Sequence, residues 1–135
     1  MWRKPTVTDL AQTISQAEID AYRQDAALDG SDPAEKLVAT TADLVRGYIR
    51  SSGKSKLSPV AGEIPESLIS PAMDYAAYQV LKRQPIEVGK DRVEAYKAAV
   101  QIFRDVANGT LIPESYAAAE DAPADKVGIA VVRIS

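Results

Sequence analysis

The run Val93-Glu94-Ala95-Tyr96-Lys97-Ala98-Ala99-Val100-Gln101-Ile102-Phe103-Arg104-Asp105-Val106-Ala107-Asn108-Gly109 decides the fold class. Val93, Tyr96, Val100, Phe103 and Ala107 recur at spacings of three and four, which puts them on one face of an α-helix. Asn108-Gly109 then supplies the residue types that tolerate the left-handed conformation closing a helix. Between strands the same pair would signal a hairpin, but an unbroken helical pattern precedes it, so the cap reading prevails.

Upstream the same periodicity repeats. Pro65 opens and Pro85 closes a segment whose buried side is Leu68, Ile69, Ala72, Met73, Ala76, Val80 and Leu81. Lys54 to Glu63, with Pro59 and Gly62, reads as a loop. Asp32-Pro33 is a strong helix start, because Asp accepts orphan amides and Pro at the first helical position has no amide to lose. Val38, Thr41, Val45 and Tyr48, flanked by Leu37, Leu44 and Ile49, give that helix a broad buried face until Ser51-Ser52-Gly53 stops it. Ser15-Gln16-Ala17-Glu18 is a capping box leading to Ile19 and Tyr22. Val7, Leu10 and Ile14 mark a short first helix with Thr8 as its expected cap. The expected fold is therefore all-α, a small bundle of four to five helices over residues 1–111.

Residues 112–125 differ in kind. Pro113 to Asp125 is rich in Ala, Pro and acids and reads as a linker. Residues 126–135 hold the β-branched run Val127, Ile129, Val131, Val132 and Ile134. A lone strand leaves its backbone groups unpaired, so it is expected to dock in trans on another molecule's sheet edge. The alternatives are a fold-back onto its own domain and an unpaired state.

The chain has 135 residues, with 46% apolar and 26% charged side chains, which suits one soluble domain. No apolar run approaches the roughly 20 residues that span a bilayer. Met1-Trp2-Arg3-Lys4-Pro5 is basic but precedes no apolar stretch, so a product of the cytoplasm with no membrane partner is expected. There is no Cys and no His. Disulfides, thiolate nucleophiles, Cys/His metal sites and imidazole bases are thereby excluded. A net charge of -3 argues against coating nucleic acid by bulk attraction.

The remaining motifs fail on spacing or context. Gly47 and Gly53-Lys54-Ser55 miss the phosphate-loop spacing by one residue and follow a helix where a strand is needed. Ser51-Ser52-Gly53-Lys54 has the Ser-x-x-Lys spacing, but at a helix end. Asp25, Asp29, Gly30 and Asp32 lack the alternation and terminal Glu of a calcium loop. The carboxylate pairs Asp91/Glu94 and Glu63/Glu66 have no apolar surroundings to shift a pKa. No enzyme activity, cofactor or metal is expected.

One charge pattern is less ordinary. Arg46, Arg50 and Lys54 fall at i, i+4 and i+8, Lys56 follows, and no acid interrupts residues 44–62. The plain reading is a solvated helix face. The functional readings are salt bridges to the acidic N-terminal third of a neighbouring subunit, or a channel lining that meets DNA.

The order of these pieces resembles the Mu-like prophage family of small neck proteins, the head-tail connectors or adaptors of tailed phages and gene transfer agents. The matching residues are Thr6-Val7-Thr8-Asp9-Leu10, Asp43-Leu44-Val45-Arg46-Gly47-Tyr48-Ile49, Pro65 through Leu68, Asp74-Tyr75-Ala76-Ala77-Tyr78-Gln79-Val80-Leu81, and Tyr96-Lys97 through Ala107-Asn108-Gly109-Thr110-Leu111. The resemblance implies an all-helical subunit in the neck of a virion or phage-like particle. It implies a homo-oligomeric ring, commonly of twelve copies, between the portal protein and a stopper or tail protein. Packaged DNA would pass with transient, non-specific contact, and the C-terminal strand would reach the portal. The alternatives are a stopper or tail-terminator subunit of the same particle, or a small helical regulatory or protein/DNA-interaction module.

Overall fold

Asp32 accepts a hydrogen bond from the Ala34 amide at 2.9 Å, and Pro33 takes the first position of the longest helix. The computed structural model describes residues 1–26 and 30–117. In chain order these form β1 (Trp2–Arg3), α1 (Val7–Ala11), α2 (Gln16–Ala26), α3 (Pro33–Ser52), β2 (Ile64–Pro65), a 3-10 turn (Glu66–Leu68), α4 (Ile69–Leu81) and α5 (Lys90–Asn108). The expected helical bundle is present.

α3 buries Val38, Thr41, Val45 and Ile49. The Thr41 hydroxyl donates to the Leu37 carbonyl at 2.8 Å, so the polar member of the stripe is satisfied within its own helix. Gly53 ends α3 at φ +67, its amide donating to the Ile49 carbonyl at 3.2 Å. Gly109 ends α5 in the same left-handed way at φ +82. The Ser15 capping box is formed: Ser15 Oγ accepts from the Glu18 amide at 3.1 Å, and Glu18 Oε1 accepts from the Ser15 amide at 2.9 Å.

α4 packs against α3 and α5, which also pack directly on each other, and it touches α1 and α2 as well. Its Ala72, Ala76 and Ala77 are completely buried, and such small side chains let neighbouring helices approach closely. Phe103 of α5 packs against Tyr48 of α3 with ring centroids 5.6 Å apart, and Tyr78 of α4 stacks on Tyr96 of α5 at 4.1 Å. These ring contacts join α3, α4 and α5 along one side.

Three boundaries differ from expectation. Thr6, not Thr8, caps α1, because its amide donates to Asp9 Oδ2 at 2.7 Å. α4 begins at Ile69 and ends at Leu81, inside the Pro65–Pro85 interval. Pro65 is in β2, and beyond Leu81 the bonds tighten, with Arg83 N–H donating to the Val80 carbonyl and Gln84 N–H to that of Leu81. α5 begins at Lys90, one turn before Val93, through a polar turn that carries no apolar signal.

The small sheet was not legible as such. β1 pairs antiparallel with β2, Trp2 opposite Pro65 and Arg3 opposite Ile64. Arg3 then bridges outward, donating to Asp9 Oδ1 and Oδ2 at 2.9 Å each and to Glu66. This bidentate partner holds the Asp9 carboxyl below its usual range despite partial burial. The expected docking strand, with Val127, Ile129, Val131, Val132 and Ile134, lies outside the described residues.

Candidate functional site

The basic residues singled out by spacing separate into different roles. Arg46, on α3, turns inward over the loop that follows the helix. Its Nη1 donates to the Glu63 carbonyl at 2.8 Å and its Nη2 to the Ser58 carbonyl at 2.9 Å. Ser58 is itself buried, donates through Oγ to Glu63 Oε1 and accepts from the Val60 amide at 3.1 Å. Charge-assisted bonds to two carbonyls five positions apart make Arg46 a clamp on the 58–63 loop. Of the expected channel-lining or intersubunit residues, Arg46 is the one whose guanidinium already bonds within its own subunit.

Arg50 is exposed in the last turn of α3, where a cation also complements the helix dipole. Lys54 is not on that helix face, since Gly53 has already reversed the chain. Its aliphatic stem crosses the end of α5 so closely that a Cβ built on Gly109 would meet Lys54 Cε at 2.8 Å. Lys56 is exposed on the next stretch of loop. Arg50, Lys54 and Lys56 thus form a basic rim at the joint between the end of α3, the loop and the end of α5.

Beside that rim the chain returns. Ser55 Oγ donates to the Pro113 carbonyl at 2.6 Å, the Lys56 amide donates to Ser115 Oγ at 3.1 Å, and the Tyr116 amide donates to the Lys56 carbonyl at 2.9 Å. On the other side Trp2 Nε1 donates to the Glu114 carbonyl at 3.0 Å, and its ring meets Tyr116 edge-on at 6.4 Å. The Ser67 hydroxyl and amide both donate to the Glu114 carboxylate. Burial, the largest single influence, pushes that carboxyl up, but the Ser67 bonds, the Glu114 amide and the N-terminal charge together bring the net shift downward. Residues 113–116, expected at the start of a linker, are therefore a strap tied to β1, the loop and the 3-10 turn. Composition concealed this, because five of its hydrogen bonds run through backbone groups of the strap, the loop or the 3-10 turn.

A shallow apolar groove of about 380 Å³ lies next to β1, between α3 and the segment 4–7. Val38, Ala39 and Ala42 form its floor, Val7 one wall, and Glu35 and Asp43 stand on its acidic side. A second groove of about 370 Å³ lies between α2, the end of α4 and the start of α5. Among the described residues no group of His, Cys, Asp or Glu is arranged to hold a metal, and no helix is long and apolar enough to cross a membrane. Ser51, the serine of the Ser-x-x-Lys spacing, is exposed in the last turn of α3, while Ser55, the serine after Lys54, is buried with its hydroxyl donating to the Pro113 carbonyl.

No curated protein and no solved structure matches the chain. The family model described as Bacteriophage Mu, Gp36 matches residues 5–132, nearly the whole length. The match runs through α1 to α5 and the strap in one piece, and the chain belongs to the bacteriophage Mu Gp36 family.

Proposed function

We propose that this phage-family protein is a non-catalytic structural subunit of the virion or phage-like particle, a head-tail connector that forms a ring between the portal and a stopper or tail protein. The family match over residues 5–132 carries this reading. The architecture supports it. A helical body has its N-terminus, its long loop and its returning C-terminal strap tied together at one place, so the three segments share a defined geometry for contact with neighbours.

In such a ring the exposed Arg50, Lys54 and Lys56 would repeat around the axis. They would meet either the acidic N-terminal third of the next subunit or the phosphates of passing DNA, without sequence readout. Arg46 supports that surface by holding the loop.

The test is assembly on the portal. The purified protein is mixed with the portal of its particle and examined by native mass measurement and negative-stain imaging. The connector reading expects a ring of about twelve copies seated on the portal, as a closed cyclic assembly requires. A protein that stays monomeric beside the portal and copurifies with no portal, stopper or tail component would end this reading.

A further inference from the structure

We propose that the groove between α3 and the segment 4–7 receives residues 126–134 of a neighbouring copy, so that each subunit fills the next one's groove. The inference rests on the connector reading, which brings copies side by side.

Three observations favour this occupant. The first is chemistry. The floor is Val38, Ala39 and Ala42 on one face of α3, small side chains that leave a channel for branched aliphatic ones. At about 380 Å³ the groove is near the low end of the roughly 300–1,000 Å³ of ligand pockets, suited to a few side chains and not to a folded domain. Val127, Ile129, Val131, Val132 and Ile134 are aliphatic side chains of that kind, in a run with almost no polar interruption.

The second is charge. Lys126 precedes the apolar run and Arg133 sits just before its last member, Ile134, while Glu35 and Asp43, two turns apart on α3, outnumber Lys4 among the charged residues lining the groove. Neither acid takes part in an ion pair among the described residues. The second groove fits less well: Gln84 Nε2 in its lining is buried with no hydrogen-bond acceptor, and Arg92 Nη1 has only the Asp74 carboxylate, 3.6 Å away. An aliphatic run accompanied by cations brings no side-chain acceptor to them.

The third is reach. The strap fixes the chain up to Tyr116, close to Trp2. The ten steps from Ala117 to Val127 extend at most about 33–36 Å, roughly the width of a small domain. That is enough to cross to an adjacent copy. One tail and one groove per subunit make a head-to-tail contact, which closes into a ring when the rotation permits.

The absence of cysteine allows a direct test in the full chain. Ala39→Cys and Val131→Cys are made in separate molecules, mixed with and without the portal, oxidised, and separated without reductant. Ile129→Cys is run alongside Val131→Cys to cover both registers. The expected result is a disulfide between the two different variants, in excess over either homodimer. In a Glu35→Lys/Asp43→Lys background the yield should fall by about tenfold or more, since like charges then face Lys126 and Arg133. Circular dichroism of that background should match the parent, both acids being exposed. Absence of the mixed disulfide overturns the proposal, and so does a doubly substituted chain that closes only on itself. If the portal-bound ring still forms without the mixed disulfide, the groove inference fails and the connector reading stands. If no ring forms at all, both fail.

Discussion

The indole Nε1 of Trp2 donates to the backbone carbonyl of Glu114 at 3.0 Å, joining residues 112 positions apart in the chain. The Trp2 side chain is only 6% exposed. Around this bond the N-terminal strand, the 3-10 turn and the strap close on one another, which sets the stability consequences of cutting the chain at different points.

A chain ending at Ala117 should unfold in urea within about 0.5 kcal/mol of the full chain, since it keeps every strap contact described above. Ending it at Leu111 removes the bonds to Trp2, Ser55, Lys56 and Ser67 together with the Trp2–Tyr116 ring contact. At about 0.5–1.5 kcal/mol for each hydrogen bond, a loss of roughly 2–4 kcal/mol is expected. Trp2 is the sole tryptophan, so its emission reports directly. A red shift in the 1–111 chain and none in the 1–117 chain is the expected pair of results.

Arg46→Ala should destabilise by about 1–3 kcal/mol, because the Ser58 and Glu63 carbonyls lose a charged donor at a part-buried site. Arg50→Ala, four residues on and exposed, should stay within about 0.5 kcal/mol. Hydrogen exchange would localise the Arg46 effect to residues 58–63. Equal effects of the two substitutions would refute the assignment of Arg46 as the loop clamp.

The stability profile should fall on the acid side. Asp9 is held below its ordinary 3.8 chiefly by the Arg3 hydrogen bonds, and Asp32 below 3.8 chiefly by those of Arg23. A folded-state pKa lower than the unfolded one contributes stability above the unfolded value and loses it as pH drops through the folded value. Both carboxylates therefore favour folding at pH 5–7, and the loss begins below about pH 4. Asp74 has the opposite sign, since burial raises it, and its protonation on acidification offsets part of the loss. Thermal melts between pH 7 and pH 3 should show Tm falling below about pH 4. In Asp9→Asn that fall should be shallower, with a lower Tm at pH 7.

Gly109→Ala should cost about 1 kcal/mol or more, and Gly53→Ala should cost less. Both glycines have positive φ, but a Cβ at Gly109 meets the Lys54 stem at 2.8 Å whereas the space at Gly53 is open. Adding Lys54→Ala to Gly109→Ala should recover the excess, as a double-mutant cycle in urea would show.

Local periodicity and caps determined the helices. The Val93–Ala107 stripe, the Asp32-Pro33 start, the Ser15–Glu18 box and the two glycine ends depend on residues within a turn or two of each other, so they were readable along the chain. The basic residues were readable as a cluster, but not their roles. Whether Arg46 reaches outward or over the loop depends on where Ser58 and Glu63 come to rest, which spacing on one helix does not encode. The same holds for β1–β2, two residues long in each strand and paired across 61 positions at Arg3 and Ile64. It holds too for the strap, whose Ala/Pro/acid composition looks like a linker because several of its attachments, the Pro113 and Glu114 carbonyls and the Tyr116 amide, are backbone groups that any sequence carries. Only the tertiary structure, by bringing Trp2, Ser55 and Ser67 to one place, decided that the chain past Leu111 is part of the domain.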